Sequence, residues 1–255
     1  MKAHLMFEAA DFDTARDLPA AAADIERDLD LPTVYSAMAD GDRFLYDVAR
    51  AAMFSTLTDP ETIGYRQDVL ADFRTYPELA RSLYDLAVEA IEKEHKFWLG
   101  AFGQHPSSIL GRSVEVLVMF VEMLHRLRAV AEENSGRVAS AGLAALFAML
   151  ADQLSDDYFA EVAAHLKTLK FRAGLLLSAR LGDGVKETGY VLRSPTAGRH
   201  HLADFIHGRS KMSFTIPDRD EAGAVALGEI RDRGINLVAN ATAQSVDHIV
   251  GFFVM

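Results

Sequence analysis

Nine histidines and no cysteine limit the chemistry this chain can offer. The densest group is His200, His201 and His207, with Asp204 between them. Three His and one Asp could supply zinc ligands. They sit in Ser194 to Lys211, a polar loop by composition, with no periodic element to make the side chains converge. The stretch from Arg193 to Lys211 is also basic, carrying Arg193, Arg199, Arg209 and Lys211 against the single acid Asp204. Two readings follow. Arg199, Arg209 and Lys211 contact phosphates of DNA, or the loop is a solvated segment that balances an acidic surface. The acidity of the whole chain favours the second.

Other constellations fall short of a site. A phosphate-binding loop needs G-x-x-x-x-G-K-(S/T) between a strand and a helix. Gly182-Asp183-Gly184-Val185-Lys186 lacks the spacing and the hydroxyl, and reads as a hairpin turn. Asp247 and His248 point about 100 degrees apart on a helix, so they do not form a ligand pair. No G-x-S-x-G elbow occurs. Asp156-Asp157 is the acidic start of a helix rather than a catalytic pair. Without cysteine there is no disulfide, thiolate metal site or thiol nucleophile. No catalytic residue, metal site or cofactor is expected in this chain.

The formal net charge of −11 opposes non-specific DNA binding, which rests on Lys and Arg neutralising phosphates. Half of the 255 residues are hydrophobic and a quarter charged, a globular composition. No leader is visible, and no segment offers the roughly 20 uninterrupted apolar residues of a membrane span. Cytoplasm, without membrane contact, is the expected location.

Periodicity places the elements. Residues 1–30 read as an arm, with a short helix starting near Ala20 to Ala23. Leu31 to Ala39 is a helix, broken by Asp40-Gly41-Asp42, which caps Arg43 to Phe54. Thr58 or Asp59 caps the next helix, with Pro60 at its first position and Ile63, Gln67, Leu70 and Phe73 as the expected stripe. A helix from Pro77 to about Phe102 carries Glu89–Lys93 and Glu92–Lys96 pairs at i,i+4. Ser107 to Glu133 follows, its middle nearly all apolar and so central. Ala139 to Leu154 and Asp156 to Leu169 complete a helical core over 31–170. The period then changes. Strands are expected at 174–181, 189–193 and 212–216. Asp218 to Arg233 should be a helix stopped by Gly234, covering one sheet face through Ala222, Val225, Ala226 and Ile230. Ile235 to Met255 is the last helix. The fold class is mainly α (α+β): a multi-helix core, a small antiparallel three-stranded sheet and two C-terminal helices, with 171–255 packed on the core as one unit.

Several stretches resemble the MutS-related ATPases of DNA mismatch repair, in their shorter branch. Leu57-Thr58-Asp59-Pro60, then Ile63, Arg66-Gln67-Asp68 and Leu70, match the entry to that family's helical core. Upstream, Asp28-Leu29-Asp30-Leu31 and Ala37 to Asp42 fit. So do Leu169-Lys170-Phe171-Arg172, Ser178-Ala179, Tyr190 to Arg193, Arg231 to Ala241 and Ser245 to Ile249. The resemblance implies the core, or lever, portion of a longer protein, a non-catalytic module linking DNA-engaging elements to a C-terminal ATPase domain beyond Met255. ATP and Mg would then belong to that domain, and DNA would be met through the full-length protein. The family's mismatch-reading Phe-x-Glu module has no counterpart here. An independent helical protein that binds a metal or ligand through His200, His201 and His207 is the alternative.

The C-terminal helix ends in a dense apolar run. Ile249, Phe252 and Phe253 should be an interdomain or homodimer interface, or fold back onto the chain's own core.

Overall fold

The computed structural model describes residues 1–15, 17–99, 105–171, 176–181, 187–193 and 221–255. Among these the architecture is helical. The helices are α1 (Ala22–Asp28), α2 (Leu31–Ala39), α3 (Arg43–Met53), α4 (Pro60–Thr75), α5 (Pro77–Leu99), α6 (Pro106–Asn134), α7 (Ala141–Gln153), α8 (Asp156–Leu169) and α9 (Glu221–Val254). Local chemistry starts several of them. Asp42 caps α3 by accepting from the amides of Phe44 and Leu45 at 2.8 and 3.1 Å. Asp59 caps α4, accepting from the amide and hydroxyl of Thr62 at 2.9 and 2.7 Å, with Pro60 in the first turn. Ser155 caps α8 through the Tyr158 amide at 3.2 Å. On α5 both expected pairs form, Lys93–Glu89 at 2.8 Å and Lys96–Glu92 at 3.7 Å.

The expected three-stranded sheet is not found among the described residues. Strands β1 (Leu176–Leu181) and β2 (Glu187–Arg193) pair antiparallel as a two-stranded hairpin. Leu177 faces Leu192 and Leu181 faces Glu187, with an irregularity between Ser178 and Arg180. The stretch 212–216 and the glycines 182–184 lie outside the described residues. Two strands give a local ribbon rather than a sheet layer, and β2 lies against α9.

The two expected C-terminal helices are one. α9 runs unbroken for 34 residues through Gly234, which is itself buried. A glycine costs a helix roughly 1 kcal/mol against alanine. Burying Ile235, 2 % exposed, next to it gives about 1.5–3 kcal/mol, and Ala239 adds a second fully buried position. Tertiary packing therefore outweighs the local break signal. The expected sheet-covering stripe also fails at Val225, which is 62 % exposed.

The chain divides into two compact units, each discontinuous in sequence. The first comprises Met1–Asp85, Leu127–Gln153 and Met255. It holds a small cluster of Leu31, Tyr35 and Ala49 with Tyr46 and Phe54 against it. α4 and α7 also pack closely there. The second comprises Leu86–Arg126 and Leu154–Val254. Its core joins Leu110 and Val114 of α6, Leu166 of α8, and Ile235 and Ala239 of α9.

Candidate functional site

The best-defined polar constellation in the first unit lies on α4. Its buried face is not the expected Ile63, Gln67, Leu70 and Phe73. Leu70 is 58 % exposed, and Val69 and Asp72 are the buried residues. The inward face runs through Tyr65, Arg66, Val69 and Asp72, again at helical spacing, but with two charged members. Tyr65 and Arg66 hold the N-terminal arm. The Tyr65 hydroxyl donates to the His4 carbonyl at 2.7 Å, and Arg66 Nε donates to the Met6 carbonyl at 2.7 Å. Arg66 also reaches Ser55 Oγ at 3.3 Å and stacks over the Phe7 ring at 4.3 Å. Burial pushes the Arg66 guanidinium below its usual range and the Tyr65 phenol above its own. The arm is turned rather than extended here, with His4 at φ 44 degrees, and successive residues of α4 hold it by two of its backbone carbonyls.

Two cavities flank this arm. One, of about 210 Å³, is lined by Phe7, Asp11, Phe12, Ala51 and Ser55 among others. The second, of about 410 Å³, lies between Lys2, His4 and Glu8 on the arm and Ala145, Leu146 and Met149 on α7. Among the described residues no group of three His, Asp or Glu could hold a metal ion.

Asp72 organises the start of α7. Its carboxylate accepts from the amides of Ala139 at 3.0 Å and Ser140 at 2.7 Å. Burial alone would raise its pKa, but the hydrogen bonds from Ser140 and Ala139 outweigh that and hold it below the usual range. Asp42 has a second role beyond its cap, accepting from the Tyr84 hydroxyl. That bond, with burial, pushes the Tyr84 phenol up to about 12. Glu26 and Arg50 form a bidentate pair at 2.5 and 3.1 Å. These carboxylates position helices. Only the helix-start aspartates could be found from sequence, as cap signals. Arg66 and Asp72 carry none, since their type argues against an inward face.

Of the residues singled out in the sequence, Arg199, Arg209 and Lys211 lie outside the described residues. So do His200, His201 and His207. The C-terminal group is described. Phe253 is 7 % exposed and stacks on the fully buried Phe120 of α6, with ring centroids 5.8 Å apart. Ile249 and Phe252 are half-buried, and Val254 is 47 % exposed. The end of α9 thus lies on its own unit through Phe253. No helix among the described residues is long and apolar enough to cross a membrane.

Comparison with known proteins gives one family. No curated protein matches the chain. No solved structure matches it. Residues 58–255 match the family described as the MutS2 N-terminal domain. The match begins at Thr58, beside the Asp59 cap of α4, and covers α4 to α9. With more than three quarters of its length inside that match, the chain belongs to the MutS2 N-terminal domain family.

Proposed function

We propose that this chain is the helical coupling region of a MutS-related ATPase, carrying motion between DNA-engaging elements and an ATPase domain. The observation that supports it best is helix continuity. α5 contributes Pro77–Asp85 to the first unit and Leu86–Leu99 to the second. α6 contributes Pro106–Arg126 to the second and Leu127–Asn134 to the first. A continuous helix transmits displacement with little loss, because bending it away from Pro, Gly or a bulge strains its hydrogen bonds. In this reading ATP and Mg belong to the ATPase domain of the full-length protein. DNA is met through that protein, with Arg199, Arg209 and Lys211 as this chain's phosphate contacts. Ile249 and Phe252 are its candidate interface toward the ATPase domain or a second subunit.

The test uses the full-length protein. Glu122→Gly with Ala129→Gly softens α6 on either side of the Arg126–Leu127 step at two exposed positions, at roughly 1 kcal/mol each. Expected is a loss of DNA-stimulated ATP turnover, with basal turnover and helical content retained. Unchanged stimulation overturns the coupling role. ATP turnover by residues 1–255 alone, abolished by a point substitution in them, overturns the non-catalytic assignment.

A further inference from the structure

The family match starts at Thr58, so α1, α2 and α3 lie outside it. Residues 1–57 hold eleven Asp and Glu against five Lys and Arg, more than half of the chain's net charge of −11. α2 is the exception within this acidic segment. Its sequence, Leu31 to Ala39, contains no charged residue. Leu31, Tyr35 and Ala39 face the core, and the other six residues are exposed. Val34 is 40 % exposed and Met38 60 %, and Leu29 just before the helix is 65 % exposed. The Ser36 hydroxyl turns back to the Pro32 carbonyl at 2.8 Å, which leaves the face poorer in free polar groups. A solvent-facing helix side normally carries charges. This one instead has the composition of a helix-packing surface.

An aspartate stands at each end of the face. Asp30 and Asp40 flank α2 in left-handed conformation, with φ of 50 and 47 degrees. Among the described residues no hydrogen bond or ion pair engages either carboxylate. At 1.5 Å per residue they stand about 15 Å apart along the helix. A second copy of the chain would be a poor cover, because antiparallel pairing of two α2 helices sets Asp30 of one beside Asp40 of the other, and like charges repel. A helix with an apolar stripe and a Lys or Arg at each end of it removes both problems. Residues eleven apart lie three turns apart on one helix face, about 16 Å, and match the two aspartates. We infer that the exposed face of α2 is a docking surface for a basic amphipathic helix of a partner protein, with Val34 and Met38 as its apolar contacts and Asp30 and Asp40 as its charge brackets.

The probe is a labelled 18-residue synthetic helix with a Leu and Ala stripe, Lys at two positions eleven apart, and Gln elsewhere. A twin carries Glu in place of both Lys. Fluorescence anisotropy with the whole chain at low salt should give at least tenfold tighter binding of the Lys peptide. The double variant Asp30→Asn, Asp40→Asn should remove that preference, and Met38→Ser should weaken both peptides. A control pair of exposed acids on α4, Glu61→Gln with Asp68→Asn, changes the net charge equally and should leave binding unchanged. Circular dichroism checks that each variant folds. Equal binding of the twins overturns the proposal, as does equal loss in the α4 control. A dimer in light scattering that Met38→Glu dissolves would assign the face to a second copy instead, and overturns it too.

Discussion

Gly142 fixes how closely α4 and α7 approach, and replacing it tests the packing of the first unit. A Cβ built there meets Val69 Cγ2 at 2.7 Å and the Tyr65 hydroxyl at 3.0 Å. Neither neighbour gives easily. Val69 is 6 % exposed and β-branched, so its χ1 is restricted on a helix, and the Tyr65 hydroxyl is tied to the His4 carbonyl. Two terms of opposite sign follow from Gly142→Ala. Alanine is favoured over glycine in a helix interior by roughly 0.8–1.0 kcal/mol. Forcing an extra methyl into a packed contact costs roughly 1–3 kcal/mol. The expected result is a net destabilisation of about 1 kcal/mol, and more if α7 cannot shift.

Two other helical glycines give the control. Gly64 on α4 and Gly111 on α6 would present a Cβ with nothing within 4 Å. There only the propensity term acts, so Gly64→Ala and Gly111→Ala should stabilise by up to about 1 kcal/mol. Urea unfolding followed by circular dichroism reads the three variants as shifts of midpoint in opposite directions. Val69→Ala removes the clashing methyl. Combined with Gly142→Ala it should recover at least about 1 kcal/mol relative to additivity, a coupling expected of residues in contact. If Gly142→Ala stabilises as much as Gly64→Ala, the close approach of α4 and α7 is wrong.

Three further outcomes are expected. Arg66→Gln removes the Nε bond to Met6 and the stack on Phe7, so limited proteolysis should cleave within residues 1–13 at least several-fold faster, while the helical content holds. Asp72 has a folded pKa below its unfolded value, so its contribution is present above about pH 4 and is lost as pH falls through the folded value. Asp72→Asn should therefore flatten the acid limb of the stability–pH curve below pH 4 and lower stability at pH 7. Phe253→Ser takes a ring off the buried Phe120 and should cost about 3–5 kcal/mol in the second unit, read as a lower unfolding midpoint, whereas Val254→Ser, at an exposed position, should stay within about 0.5 kcal/mol.

The legible part of this fold is the part decided locally. Asp42, Asp59 and Ser155 announce helix starts because a cap acts on amides two or three residues away. The apolar middle of α6 announces its burial, and Val116, Phe120, Met123 and Leu124 are indeed enclosed. Where partners lie far along the chain, the signal inverts. Asp72 meets Ala139 and Ser140 across more than sixty residues, and Arg66 meets Met6 across sixty. Reading α4 by hydropathy alone put Leu70 inward, whereas Val69 and Asp72 are the buried residues, a rotation of the helix by roughly a third of a turn. Gly234 misled for the same reason, since its compensation comes from Ile235 and Ala239 packing on α6 and α8. Of the candidate site, the Tyr65–Arg66 clamp was not legible because it required the arm to be placed.

Both units bury apolar residues, and they differ in what is added to that burial. The second is cemented by a run of aliphatic contacts from α6, α8 and α9, which are non-directional and tolerate small slides. The first buries Leu79, Leu143, Phe147 and Leu150 in its own apolar core and adds directional groups to it. Asp72 sets the start of α7, Asp42 ties the start of α3 to Tyr84 of α5, Glu26 and Arg50 join α1 to α3, and Arg66 fixes the arm. Each of these bonds specifies an orientation as well as a distance, and a partly buried one left unmade costs more than an apolar contact that is merely loosened. In the proposed coupling role, displacement carried along α5 or α6 would strain these bonds in the first unit. Weakening Asp72 or the Glu26–Arg50 pair should for that reason reduce transmission in the full-length protein before it reduces helical content.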